Sequence, residues 1–121
     1  MSIAIRRIYD NKTKNQDEIT VLTDRLWPRG VSKEKANIDH WLKQIAPSSQ
    51  LRKFYGHKEE LFEQFKQLYL EELNTYQNQE QIQQLLQWAK NNHLILITAT
   101  KDIEFSHTKI LKEVIEKLLS S

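Results

Sequence analysis

The stretch Leu22–Gly30, LTDRLWPRG, brings together side chains that can bind an anionic ligand or assist its reaction. Arg25 and Arg29 can each grip a phosphate or carboxylate with two parallel hydrogen bonds. Asp24 can orient an arginine or act as a base, and Trp27 can stack on a bound molecule. The structural interpretation is an Asp24–Arg25 ion pair that pins the turn, with Trp27 in the core, and Arg29 fits either interpretation.

A second set of polar residues ends the apolar run HLILITAT at residues 93–100. Its members are Thr98, Thr100 and Lys101. Ligands of open α/β sheets bind beyond the carboxyl ends of parallel strands, so two such strands would bring both sets together. His107, near the start of the last helix, is a candidate acid or base, the threonines would align a substrate, and the helix N-terminus would favour an anion. The structural alternative is that Lys101 pairs with Asp102 or caps the loop.

Two strands and an irregular segment account for the first third of the chain. Recurring isoleucines predict a first strand over Ser2–Ile8, and residues 10–17 are polar enough for a loop. A second strand runs from Ile19 to near Asp24. Residues 25–36 are predicted to be irregular, because a proline fixes φ there and a glycine permits a positive φ.

Helical spacing of apolar residues dominates the rest of the chain. It predicts helices over residues 38–45, 51–55, 61–76 and 79–91, and a last helix on residues 110–119. Asn37 is the expected N-cap of the first, and Pro47 ends it. The run at 93–100 lacks polar alternation until Thr98, which is typical of a strand covered on both faces at the centre of a sheet.

These elements predict one α/β domain over residues 1–121. Its small sheet is mostly parallel, with helices on both faces. The link between the first two strands has about nine residues, whereas a parallel crossover needs roughly a dozen or more. A hairpin and a mixed sheet are therefore the alternative.

Composition excludes several classes of function. The 121 residues carry 18 Lys and Arg against 16 Asp and Glu, and a net charge of +2 is too small to argue for nucleic-acid binding from bulk electrostatics. The absence of cysteine removes disulfides and thiolate chemistry. Two glycines cannot form a dinucleotide fingerprint or a P-loop, and the histidines match no metal-ligand spacing, so we expect no cofactor and no metal. Arginines after three apolar residues argue against a signal peptide, and no apolar run is long enough for a membrane span, so we expect a cytoplasmic protein.

The motif TDRLWPRG resembles the VDRLWPRG signature of the domain-of-unknown-function-488 (DUF488) family, in its short YeaO-like branch. Further matches follow in order: WLKQIAPSSQLRKFYGH at 41–57, LYLEEL at 68–73 and LITATKDIEFSHTKIL at 96–111. The resemblance covers nearly the whole chain and implies no established activity. The branch keeps a shared set of residues: Asp24, Arg25, Trp27, Pro28, Arg29, Lys101, Asp102 and His107.

Longer relatives in this family often carry a cysteine at the end of the late strand and a Cys-His-Arg near the final helix. In this chain Thr98 and Ser106 occupy the cysteine positions, and Thr108 replaces the arginine. The resemblance therefore implies no thiol chemistry here.

Three functions fit these observations, and we favour a domain that binds a small anionic or phosphorylated ligand through Arg25, Arg29 and Lys101. One alternative is an enzyme, a hydrolase or transferase on a nucleotide-like substrate, with His107 or Asp24 as acid or base. The other is a nucleic-acid-associated protein in which Trp27 stacks on a base. Its phosphate contacts would come from a basic patch: Arg6, Arg7, Arg25, Arg29, Lys33 and Lys35. A fourth option, without a small-molecule site, is a pure interaction module that uses the tyrosine-rich helix.

Overall fold

Short parallel strands form the sheet that carries the site. The computed structural model describes residues 2–11 and 15–121, and within them four strands lie in the order β1-β4-β2-β3 with every neighbouring pair parallel. Their bounds are β1 Ser2–Arg7, β2 Glu18–Leu22, β3 His40–Trp41 and β4 His93–Thr98. The predicted α/β class is confirmed. The alternative prediction of a hairpin and a mixed sheet is wrong, because β1 and β2 both pair in parallel with β4.

The apolar run is the central strand that its composition predicts. β4 pairs with β1 on one side and with β2 on the other. Leu94 and Leu96 contribute to one core cluster, and Ile95 and Ile97 contribute to another. Because alternate side chains point to opposite faces, a strand buried on both faces needs apolar residues at every position.

The short link between β1 and β2 is compatible with parallel strands because β4 lies between them. The start of β2 lies one six-residue strand length back from the end of β1 and two strand spacings, about 10 Å, to its side. The ten residues from Ile8 to Asp17 can span about 33 Å, which is enough. Residues 12–14 of this predicted loop lie outside the described residues.

Among the described residues, four α-helices pack on one face of the sheet. They are α1 Ser49–Tyr55, α2 Phe62–Leu73, α3 Tyr76–Asn91 and α4 His107–Leu119. Their buried side chains join Val21, Leu94 and Leu96 in the larger core cluster. None of the helices in the described residues is both long and apolar enough to cross a bilayer.

The opposite face is covered by irregular chain instead of an α-helix. Its core cluster contains Leu22, Ile95 and Ile97 from the strands, together with residues of the 25–41 segment and Ile8, but no described α-helical residue. Within this cover, the Trp27 and Trp41 rings meet edge to face at 5.3 Å. The expectation of helices on both faces is therefore corrected, because Trp27 of the loop and Trp41 of β3 pack against this cluster where a helix was expected.

The helix predicted over 38–45 is wrong. The chain there forms β3, followed by a 3₁₀ turn at Lys43–Ile45. The Asp39 amide donates to the Thr20 carbonyl and the Leu42 amide to the Leu22 carbonyl, both 3.0 Å long, so these amides are not available for helical bonds. Asn37 has a φ of 55°, unlike the extended conformation of an N-cap. The edge of β2 thus overrides the local apolar spacing.

The other helices match their predictions with shifted ends. The predicted helix over 61–76 is α2, preceded by a 3₁₀ turn at Glu59–Leu61, and the next helix begins already at Tyr76. Leu68 and Tyr76, which share the apolar spacing, are 42% and 79% exposed. Apolar spacing alone does not separate a core position from its exposed neighbour.

Candidate functional site

A cavity of about 500 Å³ opens at the carboxyl edge of the sheet. Its walls come from the ends of β2 and β4, the 46–47 segment, α1 and the start of α4. This is where ligands of parallel α/β sheets bind, because strand carboxyl ends and helix starts meet there. The predicted convergence of the two polar sets therefore occurs, although with different members.

Asp24 joins the two central strands at the floor of this cavity. Its Oδ1 accepts a hydrogen bond from the Thr98 hydroxyl and its Oδ2 accepts one from the Ala99 amide, both 2.8 Å long. The carbonyl of Asp24 accepts from the Trp41 indole at 2.8 Å. The predicted ion pair with Arg25 does not form. The carboxylate instead holds the end of β4 against the end of β2.

His107, the first residue of α4, lies beside this carboxylate. Its Nε2 is 2.9 Å from the Thr23 carbonyl and 3.6 Å from Asp24 Oδ1. A carbonyl can only accept, so Nε2 carries the proton. Burial lowers the pKa of His107 below its usual value, against the opposing effect of the Asp24 charge. Burial therefore favours the neutral imidazole, which donates its Nε2 proton to the backbone.

Arg25 lines the cavity and braces its opposite wall. Its Nε donates to the Pro47 carbonyl at 3.1 Å and its Nη2 to the Ala46 carbonyl at 3.0 Å. These bonds leave one edge of the guanidinium for another partner.

Residues of α2 also bond to the segment just before α1, at residues 45–48. The buried Tyr69 hydroxyl donates to the Ile45 carbonyl at 2.6 Å. Glu72 accepts from the Ser48 amide at 2.8 Å and from the Ser48 hydroxyl at 2.6 Å. Ser48 is the N-cap of α1. The start of α1 is thereby fixed relative to the sheet.

Two cations that sequence reasoning missed, Arg52 and Lys53, lie on α1 and line the cavity. Neither they nor Arg25 has a carboxylate partner in the described part of the chain. The spacing of Ser49, Arg52 and Lys53 places them on one helical face, and the capping serine after a proline marks the start of that helix. The sequence therefore indicates the helix and the face that these residues share. It does not indicate that this face lies near the ends of β2 and β4, which depends on the tertiary structure.

Aromatic and apolar side chains form much of the remaining wall: Leu26, Trp27, Pro28, Tyr55, Phe65 and Phe105. The Tyr55 ring stacks on Phe65 at 4.2 Å, and its hydroxyl donates to the Phe105 carbonyl at 2.6 Å. The indole N–H of Trp27 donates to the Val31 carbonyl at 2.7 Å. Both polar groups are therefore satisfied within the protein.

The structure brings some of the predicted site residues into the cavity and leaves others out. Asp24, Arg25, Trp27, Thr100 and His107 line it. Thr98 is buried beneath it, with its hydroxyl bonded to Asp24.

Arg29 and Lys101 are exposed and do not line the cavity. Arg29 lies between Pro28 and Gly30, and Lys101 follows Thr100, each in irregular chain beyond a strand end. The sequence does not indicate which way a side chain in such a segment points.

The basic patch proposed for nucleic acid is partly engaged. Arg6 donates to Asn11 at 2.7 Å and pairs with Glu18 at 3.1 Å. The Arg7 guanidinium lies 5.1 Å from the centre of the Tyr9 ring. Lys33 lies 5.9 Å from the ring of Trp27, on the loop beyond β2. Arg6 and Arg7 are on β1, which β4 separates from β2.

Comparison with known proteins places the chain in a family. A family profile described as the inactive DUF488-N3 subclade matches residues 2–121. The uncharacterized protein YeaO of Escherichia coli K12 is 33% identical over 118 residues, covering 98% of this chain and 100% of that protein. The uncharacterized protein Rv3073c of Mycobacterium tuberculosis H37Rv is 29% identical over 113 residues, 93% of this chain and 92% of its own length. No solved structure gives a significant match. This chain therefore belongs to the DUF488 family, in the subclade described as inactive.

Proposed function

We propose that this protein binds a small anionic molecule in the cavity without transforming it. One observation carries the proposal. Arg25, Arg52 and Lys53 line the cavity, and the one carboxylate among its described lining residues, Asp24, is already bonded to the end of β4. A cavity with an excess of cations favours a phosphate or carboxylate, and Arg25 and Arg52 can bind such groups in bidentate geometry.

Asp24 and His107, the predicted acid or base, and the hydroxyls at the two cysteine positions are engaged in structural hydrogen bonds, which supports binding without turnover. At the positions where longer relatives carry cysteines, the Thr98 hydroxyl donates to Asp24 and the Ser106 hydroxyl donates to the Ile103 carbonyl at 2.7 Å. His107 donates its Nε2 proton to a backbone carbonyl. The family description, which names an inactive subclade, agrees with this interpretation.

Thermal unfolding in the presence of inorganic phosphate, sulfate and AMP, each against sodium chloride of equal ionic strength, tests the proposal. A ligand at 100 times its Kd stabilises the folded state by about 2.7 kcal/mol, a rise in Tm of about 10 °C for a domain of this size. The double variant Arg52→Gln/Lys53→Gln should lose this rise. Arg29→Gln is the matched control, because Arg29 is exposed outside the cavity.

Two results would contradict the proposal. One is the absence of any anion-dependent rise in Tm, and the other is an equal loss in the Arg29→Gln control. Product formation from a phosphate ester that disappears in His107→Gln would instead support an enzyme. Nucleic-acid binding that falls steeply with salt and depends on Arg6 and Arg7 would support the third function.

A further inference from the structure

We infer that the ligand carries its anionic group on a flat aromatic body, as an aryl phosphate or aryl carboxylate does. This inference rests on the proposed function and names the ligand class for the same cavity. A bare inorganic anion or a sugar phosphate would leave most of the cavity wall without a complementary surface.

The size of the cavity is the first argument. Cavities of about 300–1,000 Å³ usually hold drug-sized molecules, and this one measures about 500 Å³. An inorganic phosphate has only five heavy atoms and would fill a small part of it. The ligand therefore has a body beyond its anionic group.

The chemistry of the wall indicates what that body is. The indole N–H of Trp27 and the hydroxyl of Tyr55 are bonded to the Val31 and Phe105 carbonyls. These two side chains therefore offer the cavity ring carbons and no free hydrogen-bond donor. Half-buried Trp27 supplies most of this ring surface, since Tyr55 is 6% exposed. Leu26 lines the same cavity and is 66% exposed, so its apolar surface has no cover in the free protein. Such walls favour an apolar or aromatic body over a polyol, whose hydroxyls would be left without partners.

The aromatic wall is fixed before the ligand arrives. Tyr55 is held by its hydroxyl and by stacking on Phe65 at 4.2 Å. Trp27 is held by its indole N–H and by an edge-to-face contact with Trp41 at 5.3 Å. Rings already held in place lose little conformational entropy on binding, which strengthens stacking with a planar ligand.

Isothermal titration calorimetry with three probes tests the inference: 1-naphthyl phosphate, glycerol phosphate and inorganic phosphate. We expect 1-naphthyl phosphate to bind at least ten times more tightly than the other two. Leu26→Asn should weaken 1-naphthyl phosphate about fivefold and leave inorganic phosphate unchanged. Leu68→Asn is the matched control, since Leu68 is an exposed leucine on α2 that does not line the cavity.

The outcomes separate the inference from the proposed function. Equal affinity for the three probes, or no effect of Leu26→Asn, overturns the aromatic ligand and leaves anion binding in place. Binding of none of the probes overturns both. Binding of 1-naphthyl phosphate that persists in Arg52→Gln/Lys53→Gln overturns anion recognition, because the ring alone would then account for the affinity.

Discussion

Replacing Asp24 with asparagine separates the two roles that this carboxylate can have. As a structural anchor it holds the end of β4 through the Thr98 hydroxyl and the Ala99 amide. As a base or a ligand-binding group it would act on the bound molecule. Asparagine keeps the shape of the side chain, removes its charge and replaces one accepting oxygen with a donor.

The structure sets the size of the effect. The asparagine oxygen can accept only one of the two 2.8 Å bonds, so one charge-assisted hydrogen bond is lost and the other becomes neutral. The loss of a hydrogen bond to a charged group costs about 1.5–3 kcal/mol. At about 4 °C per kcal/mol for a domain of this size, Tm should fall by about 6–12 °C.

Anion binding should respond in the opposite direction. Among the described residues that line the cavity, Asp24 is the one carboxylate, and it lies with Arg25, Arg52 and Lys53 in the same lining. Removing its negative charge reduces repulsion of an anion, so the Kd for phosphate should stay equal or decrease. Thermal unfolding measures the Tm and urea unfolding measures the free energy of unfolding. Calorimetry below the Tm of the variant measures the affinity for phosphate.

Thr98→Val provides the matched control, because it removes the same hydrogen bond from the other partner. A double-mutant cycle between the two substitutions should give a coupling free energy of about 1–2 kcal/mol. Unchanged stability in Asp24→Asn would refute the anchor. Loss of phosphate binding in a variant that remains folded would show that the carboxylate acts on the ligand.

Three further predictions concern the supports of the site. His107 has a pKa near 6.5 in the unfolded chain, and burial lowers its pKa in the folded protein. The unfolded chain therefore binds more protons, so the free energy of unfolding should fall as the pH drops below about 6.5. This fall should be smaller in His107→Asn. Tyr69→Phe leaves the Ile45 carbonyl without its 2.6 Å donor and should cost about 1–3 kcal/mol in urea unfolding. Gly56→Ala forces a side chain into a φ of 52° and should lower Tm by about 4 °C, about 1 kcal/mol, in a thermal scan.

Each of these has a contrary result. Equal pH dependence in His107→Asn and the unsubstituted protein would mean that the imidazole is not desolvated. A neutral Tyr69→Phe would mean that another donor reaches the Ile45 carbonyl. In Gly56→Ala the added Cβ would lie 3.7 Å from the Lys53 carbonyl oxygen, which is an ordinary contact, so no steric clash is expected. An unchanged Tm would therefore mean that the positive φ of residue 56 costs alanine nothing.

The helix mistakenly predicted over 38–45 shows where local pattern fails. Ile38, Trp41, Leu42 and Ile45 have helical spacing, yet Ile38 and Trp41 pack in one core cluster while Leu42 and Ile45 pack in the other. The spacing arises because the chain passes the edge of the sheet here, so its apolar side chains pack first on one face and then on the other. Whether residues 38–45 form a helix or pair with β2 depends on a strand about twenty residues earlier in the chain. The spacing of apolar residues within 38–45 carries no information about that strand.

The sequence by itself determined the α/β class, the central apolar strand and the edge of the sheet where polar groups gather. Each follows from local properties, since burial on both faces requires a continuous apolar run and a strand end is marked by its first polar residues. Only the tertiary structure decided which cations reach the cavity. Arg52 and Lys53 line it while Arg29 and Lys101 do not, because the orientation of α1 depends on bonds from Arg25, Tyr69 and Glu72 to the segment before it. Those bonds join residues 21 or more positions apart, and the folded chain alone brings them together.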